Sequence, residues 1–144
     1  MVRFDLVHLR ESVWPVLERV YGLPDGILNA IAFVETGGRY DAQATNRGSG
    51  AAGLFQLTPI ALAQVAKDTG LSIDPYNPGQ SSAGAALLLR RYFRMFNNDM
   101  SLALVAYNAG EGRARRFLNE VRERGTGTLP RETANYLPRV MGAI

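Results

Sequence analysis

The chain has 144 residues, 47% of them hydrophobic and 20% charged, which fits one folded domain and excludes a disordered chain. It has no cysteine and a single histidine, His8, which excludes disulfide scaffolds, thiolate sites and multi-histidine metal sites, and no metal or cofactor is expected. The net charge of +3 suits an anionic polymer, but no nucleic-acid-binding motif accompanies the arginines, so nucleic acid is not an expected partner.

The first segment predicts an N-terminal helix and no membrane insertion. Residues 6–20 place leucine and valine at helical spacing, and Trp14 among them is expected to be a core or docking residue. Acids and bases are interspersed in this segment, unlike the apolar centre of a secretory signal. The chain contains no run of about eighteen apolar residues, so a membrane-spanning helix is not expected.

The next predicted helix contains the first candidate site residue. It covers about residues 24–36 and stops at Gly37 and Gly38. Glu35 lies four residues after Ile31 on the same apolar face, and the whole last turn is expected to be buried. Burial and the partial negative charge of the helix end both disfavour a carboxylate, so Glu35 is predicted to remain protonated near neutral pH and to act as a general acid. The alternative is a helix-end glutamate that reaches solvent or pairs with an arginine.

The remaining sequence predicts one polar loop and five further helices. Residues 37–54 are glycine-rich and too long for a simple turn, which is typical of a functional loop and leaves room for a small β-hairpin. The further helices are expected at about residues 59–68, 81–96, 101–107, 113–124 and 131–141. Seven helices with little strand predict an all-α fold, in a single domain that covers residues 1–144.

Four short motifs then give the chain a family resemblance. They are "ET" at 35–36, "GLFQLTP" at 53–59, "AYNAG" at 106–110 and "ETANY" at 132–136. In this order they resemble the catalytic glutamate followed by Ser or Thr, G-L-M-Q-[LI]-x-P, A-Y-N-A-G and E-T-x-x-Y of lytic transglycosylases of the soluble-lytic-transglycosylase (SLT) type, in the lysozyme-like superfamily. The resemblance covers about residues 24–140 and leaves the N-terminal helical segment 1–20 outside it.

The resemblance implies a lysozyme-like α-domain with a substrate groove, and an enzyme that degrades peptidoglycan. The implied reaction cleaves the β-1,4 bond between N-acetylmuramic acid and N-acetylglucosamine and leaves a 1,6-anhydromuramoyl end. Glu35 would act as acid and then as base, since no second carboxylate stands out. The implied place of action is the bacterial cell wall in the periplasm, reached by an endolysin or virion-associated enzyme of a bacteriophage, or by export, with other virion or secretion-machine proteins as further partners.

The resemblance assigns eight residues to substrate binding. Gln56 matches the glutamine at the sugar site, where an amide can donate and accept hydrogen bonds, and Phe55 is expected to form a wall of the cleft. The Tyr107 hydroxyl is expected to reach the catalytic carboxyl or the scissile bond, and Asn108 to cap its turn or contact a sugar. The other assigned residues are Thr36, Ser49, Glu132 and Tyr136.

The chain departs from the family pattern at two positions, and two other functions stay open. The family serine six residues before G-L-M-Q falls on Arg47, and the asparagine of N-P-x-x-N falls on Ser81. A hydrolytic muramidase of goose type would need a second carboxylate, for which Asp41 is the candidate. A non-catalytic glycan-binding module of a phage tail or secretion machine would need no catalytic acid.

Overall fold

The computed structural model describes residues 4–144, so the first three residues of the predicted single domain lie outside the described part. Its elements are α1 Leu6–His8, a π-helical turn Leu9–Val13, α2 Trp14–Tyr21, α3 Ile27–Glu35, α4 Pro59–Thr69, α5 Pro78–Met95, α6 Met100–Ala109, α7 Glu111–Arg124 and α8 Arg131–Ala143. Since α1, the π turn and α2 follow one another directly, residues 4–144 contain seven helical segments, and the all-α class is confirmed. No helix in this described part is both long and apolar enough to cross a membrane.

Four helices begin at a side chain that accepts a hydrogen bond from a backbone N–H of the first turn. These capping residues are Asp5 for α1, Thr58 for α4, Asn77 for α5 and Asp99 for α6. A helix leaves its first N–H groups without partners, and a short polar side chain at this position satisfies one of them. The loop residues before these helices therefore determine where each helix begins.

The core is built around α3, which packs against α8, α2 and α5. Its fully buried residues are Ile27, Leu28, Ala30, Ile31 and Ala32. The facing side of α8 presents Thr133, Tyr136 and Val140, three and four residues apart and all buried. This packing lays the end of α3 against the middle of α8, which is where the candidate site lies.

Trp14, at the start of α2, is a core residue. It is 1% exposed, its indole N–H donates to Ser82 Oγ at 2.8 Å, and its ring packs edge-on against Phe55. Phe55 is itself fully buried, which corrects the expectation that it forms a wall of the cleft. Because the Phe55 ring has no exposed surface, only its backbone can take part in the site.

The segment predicted to allow a hairpin is a compact loop. In residues 4–144 it forms no strand ladder, and isolated antiparallel bridges join Ala52 to Thr45 and to Leu57. The next residue, Gly53, has a φ of +80°, and a Cβ there would lie 1.8 Å from the Pro75 carbonyl oxygen. Only glycine allows the two loops to approach so closely, and any side chain at this position would force them apart.

A buried carboxylate joins α2 to the start of α3. Glu18 is 3% exposed, and its two oxygens accept hydrogen bonds from the backbone N–H groups of Gly26 at 3.1 Å and Leu28 at 2.9 Å. Gly26 precedes α3 and has no side chain that could cap it, so Glu18 supplies the cap from a different helix. Burial raises the pKa of Glu18, because an apolar environment disfavours the charged form.

Glu18→Ala is expected to lower the free energy of unfolding by about 1–3 kcal/mol, because it leaves two backbone N–H groups at the start of α3 without their acceptor. Urea denaturation followed by circular dichroism measures the change. Glu11→Ala removes an exposed carboxylate from the same helical run and should cost at most about 0.5 kcal/mol. Equal losses in the two variants would contradict the capping role of Glu18.

Candidate active site

Glu35 is the last residue of α3, and its carboxyl group lies largely away from water. The Tyr136 hydroxyl, on α8, donates to Glu35 Oε2 at 3.0 Å. The pKa of Glu35 is raised to about 7, mainly by burial; the hydrogen bond from Tyr136 opposes this shift and the negative charge of Glu132 adds to it. Protonated and ionised Glu35 therefore coexist near neutral pH.

The last turn of α3 is not buried on all sides, which corrects the expectation from the sequence. Phe33 is 46% exposed, and a Cβ on Gly38 would approach its ring to 3.1 Å. The Gly38 N–H closes the helix by donating to the Phe33 carbonyl at 2.7 Å. The burial of Glu35 therefore comes from the elements packed against it and not from every residue of its own turn.

Thr36 fastens the loop after α3 to the helix end. Its hydroxyl donates to the Ala32 carbonyl at 2.7 Å and accepts from the Tyr40 N–H at 2.8 Å. The residue is 8% exposed and borders the space in front of Glu35. Thr36 thus stabilises the junction between α3 and the loop that follows it, and its part in substrate binding stays a prediction.

Glu35 opens into a polar cavity of about 450 Å³, the Glu35 cavity. Its lining residues are Glu35, Thr36, Arg39, Asp41, Ala44, Thr45, Asn46, Arg47 and Gln56. The structure therefore brings together three of the predicted site residues, Glu35, Thr36 and Gln56. Asp41, the candidate second carboxylate, lines the same cavity, is exposed, and accepts a hydrogen bond from the Gln43 N–H at 2.9 Å.

Three other predicted residues, Ser49, Tyr107 and Asn108, line a second cavity of about 710 Å³, the Tyr107 cavity. It lies between α6, the start of α4 and the start of α7. Glu111 also lines it, but the Glu111 carboxylate forms an ion pair with Arg91 on α5. Glu111 is thereby engaged in joining α7 to α5 and is not a second acid for Glu35.

The segment formed by Phe55 and Gln56 contacts both sets of lining residues, since Gln56 lines the Glu35 cavity and the Phe55 carbonyl bonds to Tyr107. Gln56 has a φ of +49°, in the left-handed region that residues with side chains rarely adopt. Its amide nitrogen donates to the carbonyls of Ala44 and Gly53, and the Tyr107 hydroxyl donates to the Phe55 carbonyl at 2.7 Å. The Tyr107 hydroxyl thus holds this segment, and burial together with the charge of Glu35 raises the pKa of Tyr107, whose part at the scissile bond stays a prediction. The amide oxygen of Gln56 is the atom that it can offer to a ligand.

Glu132 and Tyr136, one turn apart on α8, occupy different environments. Tyr136 is 5% exposed and bonds to Glu35, whereas Glu132 is exposed and acts on Glu35 through its charge. Their four-residue spacing could not distinguish them, because it leaves the rotation of α8 undetermined.

Arg39 lines the Glu35 cavity and was not predicted from the sequence, although its position four residues after Glu35 was an available signal. In residues 4–144 no group of three or more His, Asp or Glu side chains is placed to hold a metal ion.

The sequence of the chain is similar to known transglycosylases. A family model described as Transglycosylase SLT domain matches residues 12–129. The membrane-bound lytic murein transglycosylase D of Escherichia coli strain K12 is 32% identical over 109 residues, which cover 71% of this chain and 24% of that protein. The protein of the same description from Escherichia coli O6:H1 strain CFT073 matches equally well. This chain thus spans about a quarter of the length of these curated relatives.

Solved structures show the same fold. An inactive mutant of the lytic transglycosylase Slt from Pseudomonas aeruginosa has a TM-score of 0.78 at 23% identity, and the match covers 94% of this chain and 23% of that one. The 70 kDa soluble lytic transglycosylase of Escherichia coli has a TM-score of 0.71 at 21% identity, covering 93% and 24%. Together with the family match over residues 12–129, this shows that the chain belongs to the transglycosylase SLT domain family and has its lysozyme-like, all-α fold.

Proposed function

We propose that this chain is a peptidoglycan lytic transglycosylase with Glu35 as its one catalytic carboxyl group. The observation that supports this best is a glutamate with a pKa near 7 that faces a polar cavity and accepts a hydrogen bond from Tyr136. The family, and relatives described as lytic murein transglycosylases, favour the glycan strands of peptidoglycan as the substrate. The proposed place of action is the bacterial cell wall, in the periplasm.

In the first step protonated Glu35 acts as a general acid. It donates its proton to the oxygen that links N-acetylmuramic acid to N-acetylglucosamine, the bond from that oxygen to C1 breaks, and the N-acetylglucosamine leaves with a hydroxyl group. The acetamido oxygen of the muramic acid stabilises the positive charge that develops at C1. An acid with a pKa near 7 suits this step, because part of it still holds its proton at neutral pH.

In the second step the ionised Glu35 acts as a general base. It takes the proton of the 6-hydroxyl of the same muramic acid, and the 6-oxygen forms a bond to C1. The product is a 1,6-anhydromuramoyl end, Glu35 is protonated again by the proton of the 6-hydroxyl, and no water is consumed. One carboxyl group is therefore sufficient for both steps.

The Tyr136 hydroxyl can donate its hydrogen bond to Glu35 whether the carboxyl group is protonated or ionised. Burial raises the pKa of Tyr136 well above its usual value, and the charge of Glu35 adds to the shift, so the hydroxyl keeps its proton and remains a donor. Its hydrogen bond stabilises the carboxylate that the first step produces. We therefore assign Tyr136 a positioning role, in which it also limits how far burial raises the pKa of Glu35.

The two cavities offer room for sugars on either side of the bond that is cleaved. We assign Gln56 to the Glu35 cavity as an acceptor for the acetamido N–H of a sugar. Ser49 and Asn108 line the Tyr107 cavity, where their side chains can bond to sugar hydroxyls. Tyr107 then contributes by holding the backbone that precedes Gln56.

A hydrolytic muramidase is the second candidate, because Asp41 lines the Glu35 cavity. In that reaction the Asp41 carboxylate would remove a proton from a water molecule that attacks C1 while Glu35 protonates the leaving oxygen. The two reactions differ by one water in their product. We favour the transglycosylase because the family and its named relatives are transglycosylases.

Glu35→Gln is expected to lower the rate of peptidoglycan cleavage by a factor of about 100 or more, because Gln cannot donate a proton to the leaving oxygen. The release of soluble fragments from purified cell walls measures the rate. Asp41→Asn is the matched control, since it changes the other free carboxylate of the same cavity, and it should retain most of the activity. Full activity of Glu35→Gln would contradict the mechanism, whereas an absence of cleavage by the unmodified protein would favour a non-catalytic glycan-binding module.

The product of the unmodified protein distinguishes the two enzymes. Mass spectrometry of the digest should show muramoyl ends that lack one water relative to reducing ends. Reducing muramic acid ends, together with inactive Asp41→Asn, would instead establish the hydrolytic reaction.

Activity is expected to fall as the pH rises through about 7, because the first step needs protonated Glu35. Tyr136→Phe removes a hydrogen bond that favours the ionised carboxylate, so the pKa of Glu35 should rise further and this fall should move to higher pH. Initial rates on purified cell walls between pH 5 and about 9 measure both profiles. A pH profile of Tyr136→Phe that is unchanged or moved to lower pH would contradict the conclusion that this hydrogen bond lowers the pKa of Glu35.

A further inference from the structure

Two arginines in the Glu35 cavity have no part in the mechanism described above. Arg39 lies four residues beyond Glu35, Arg47 lies in the loop that follows, and both side chains are exposed and line the cavity. Arg47 also stands at the position where the family pattern has a serine. A charged residue at this position is therefore a departure of this chain from the family pattern.

Neither arginine is engaged in an ion pair within residues 4–144, where the ion pairs join Arg91 to Asp68 and to Glu111. Other arginines are used by the fold: Arg10 lies over the ring of Tyr40, Arg90 lies over the ring of Tyr21, and Arg115 donates to Met95. Among the residues that the structure describes, the guanidinium groups of Arg39 and Arg47 thus have no ion-pair partner and are available to a ligand.

The arginines are also not counter-ions of Glu35. A nearby cation would lower the pKa of a carboxyl group, whereas that of Glu35 is raised, and its main causes are burial, Tyr136 and Glu132. Besides Glu35, the cavity has one acidic side chain, Asp41, against two cations. When Glu35 is protonated, the cavity is therefore left with a net positive charge.

The backbone that supports Arg47 is held in place by hydrogen bonds. The Asn46 side chain accepts from the N–H groups of Gly48 and Ser49, and the Asn46 backbone pairs with Ala51 and Gly50. The N-terminal end of the same loop is fastened through Thr36. A guanidinium on an ordered turn loses less freedom when it binds, which favours binding to a ligand group at a defined place.

We propose that Arg39 and Arg47 form a carboxylate-binding subsite beside Glu35, and that its ligand is a carboxylate of the muramic acid unit. This proposal rests on the proposed function, since that supplies the substrate. Guanidinium groups bind carboxylates through paired, charge-assisted hydrogen bonds, whereas a neutral sugar offers no anion. Two sources are possible in peptidoglycan: the lactyl carboxylate of a muramic acid without peptide, and the carboxylates of an attached peptide.

The test measures binding of soluble glycans by the full chain with Glu35→Gln, which should bind without cleaving. Three probes separate the sources: chito-oligosaccharides without carboxylates, peptidoglycan oligomers stripped of peptide by an amidase, and oligomers that keep their peptides. The Arg39→Gln/Arg47→Gln pair is added to this background. Arg116→Gln/Arg122→Gln, which removes the same charge from exposed positions on α7, is the matched control.

The Arg39/Arg47 pair of substitutions should weaken binding of carboxylate-bearing probes by about tenfold or more and leave chito-oligosaccharide affinity within about twofold, while the control changes neither. The probe that shows the loss identifies the source of the carboxylate. No loss for any probe, or an equal loss for all three, would overturn the subsite. If the Glu35→Gln parent binds none of the three glycans, the proposed function itself fails, and the subsite fails with it.

Discussion

The candidate site depends on the packing of α8 against the end of α3. The hydrogen bond between Tyr136 and Glu35 joins residues that are 101 positions apart, so it exists only when the C-terminal helix is docked. Docking withdraws the carboxyl group from water and provides it with one donor that keeps its proton. A pKa near 7 results from these opposing effects, because burial favours the neutral acid and the hydrogen bond favours the carboxylate.

The loop between α3 and α4 gives this acid its surroundings. Gly53 lets the loop lie against the backbone at Pro75, and the Tyr107 hydroxyl holds the carbonyl before Gln56, whose left-handed backbone is thereby maintained. A strained residue persists only where its neighbours hold it, and such residues are frequent at functional sites. The loop therefore forms an ordered wall of the Glu35 cavity, and this wall carries Arg39 and Arg47.

The sequence predicted the helices and the position of Glu35 at the end of one of them, because apolar spacing and the glycines that follow a helix are local signals. It misjudged Phe33, which is exposed, and Phe55, which is buried, since a hydrophobic residue shows that burial is favourable but not whether another element covers it. It missed the cap that Glu18 provides for α3. A glutamate on an amphipathic helix is normally expected to face solvent. The backbone N–H groups that Glu18 accepts from, those of Gly26 and Leu28, belong to the start of the following helix.

The sequence by itself determined the helical class, the positions of most helices, the four motifs and hence the residues that could form the site. The tertiary structure decided which of them meet. It bonded the Tyr136 hydroxyl to Glu35 and left Glu132 exposed to act through its charge, directed Tyr107 to the Phe55 carbonyl, and placed Arg39 in the cavity. The reason is the range of the forces: capping and helical periodicity act within a few residues, whereas the desolvation that sets a pKa depends on atoms from distant segments.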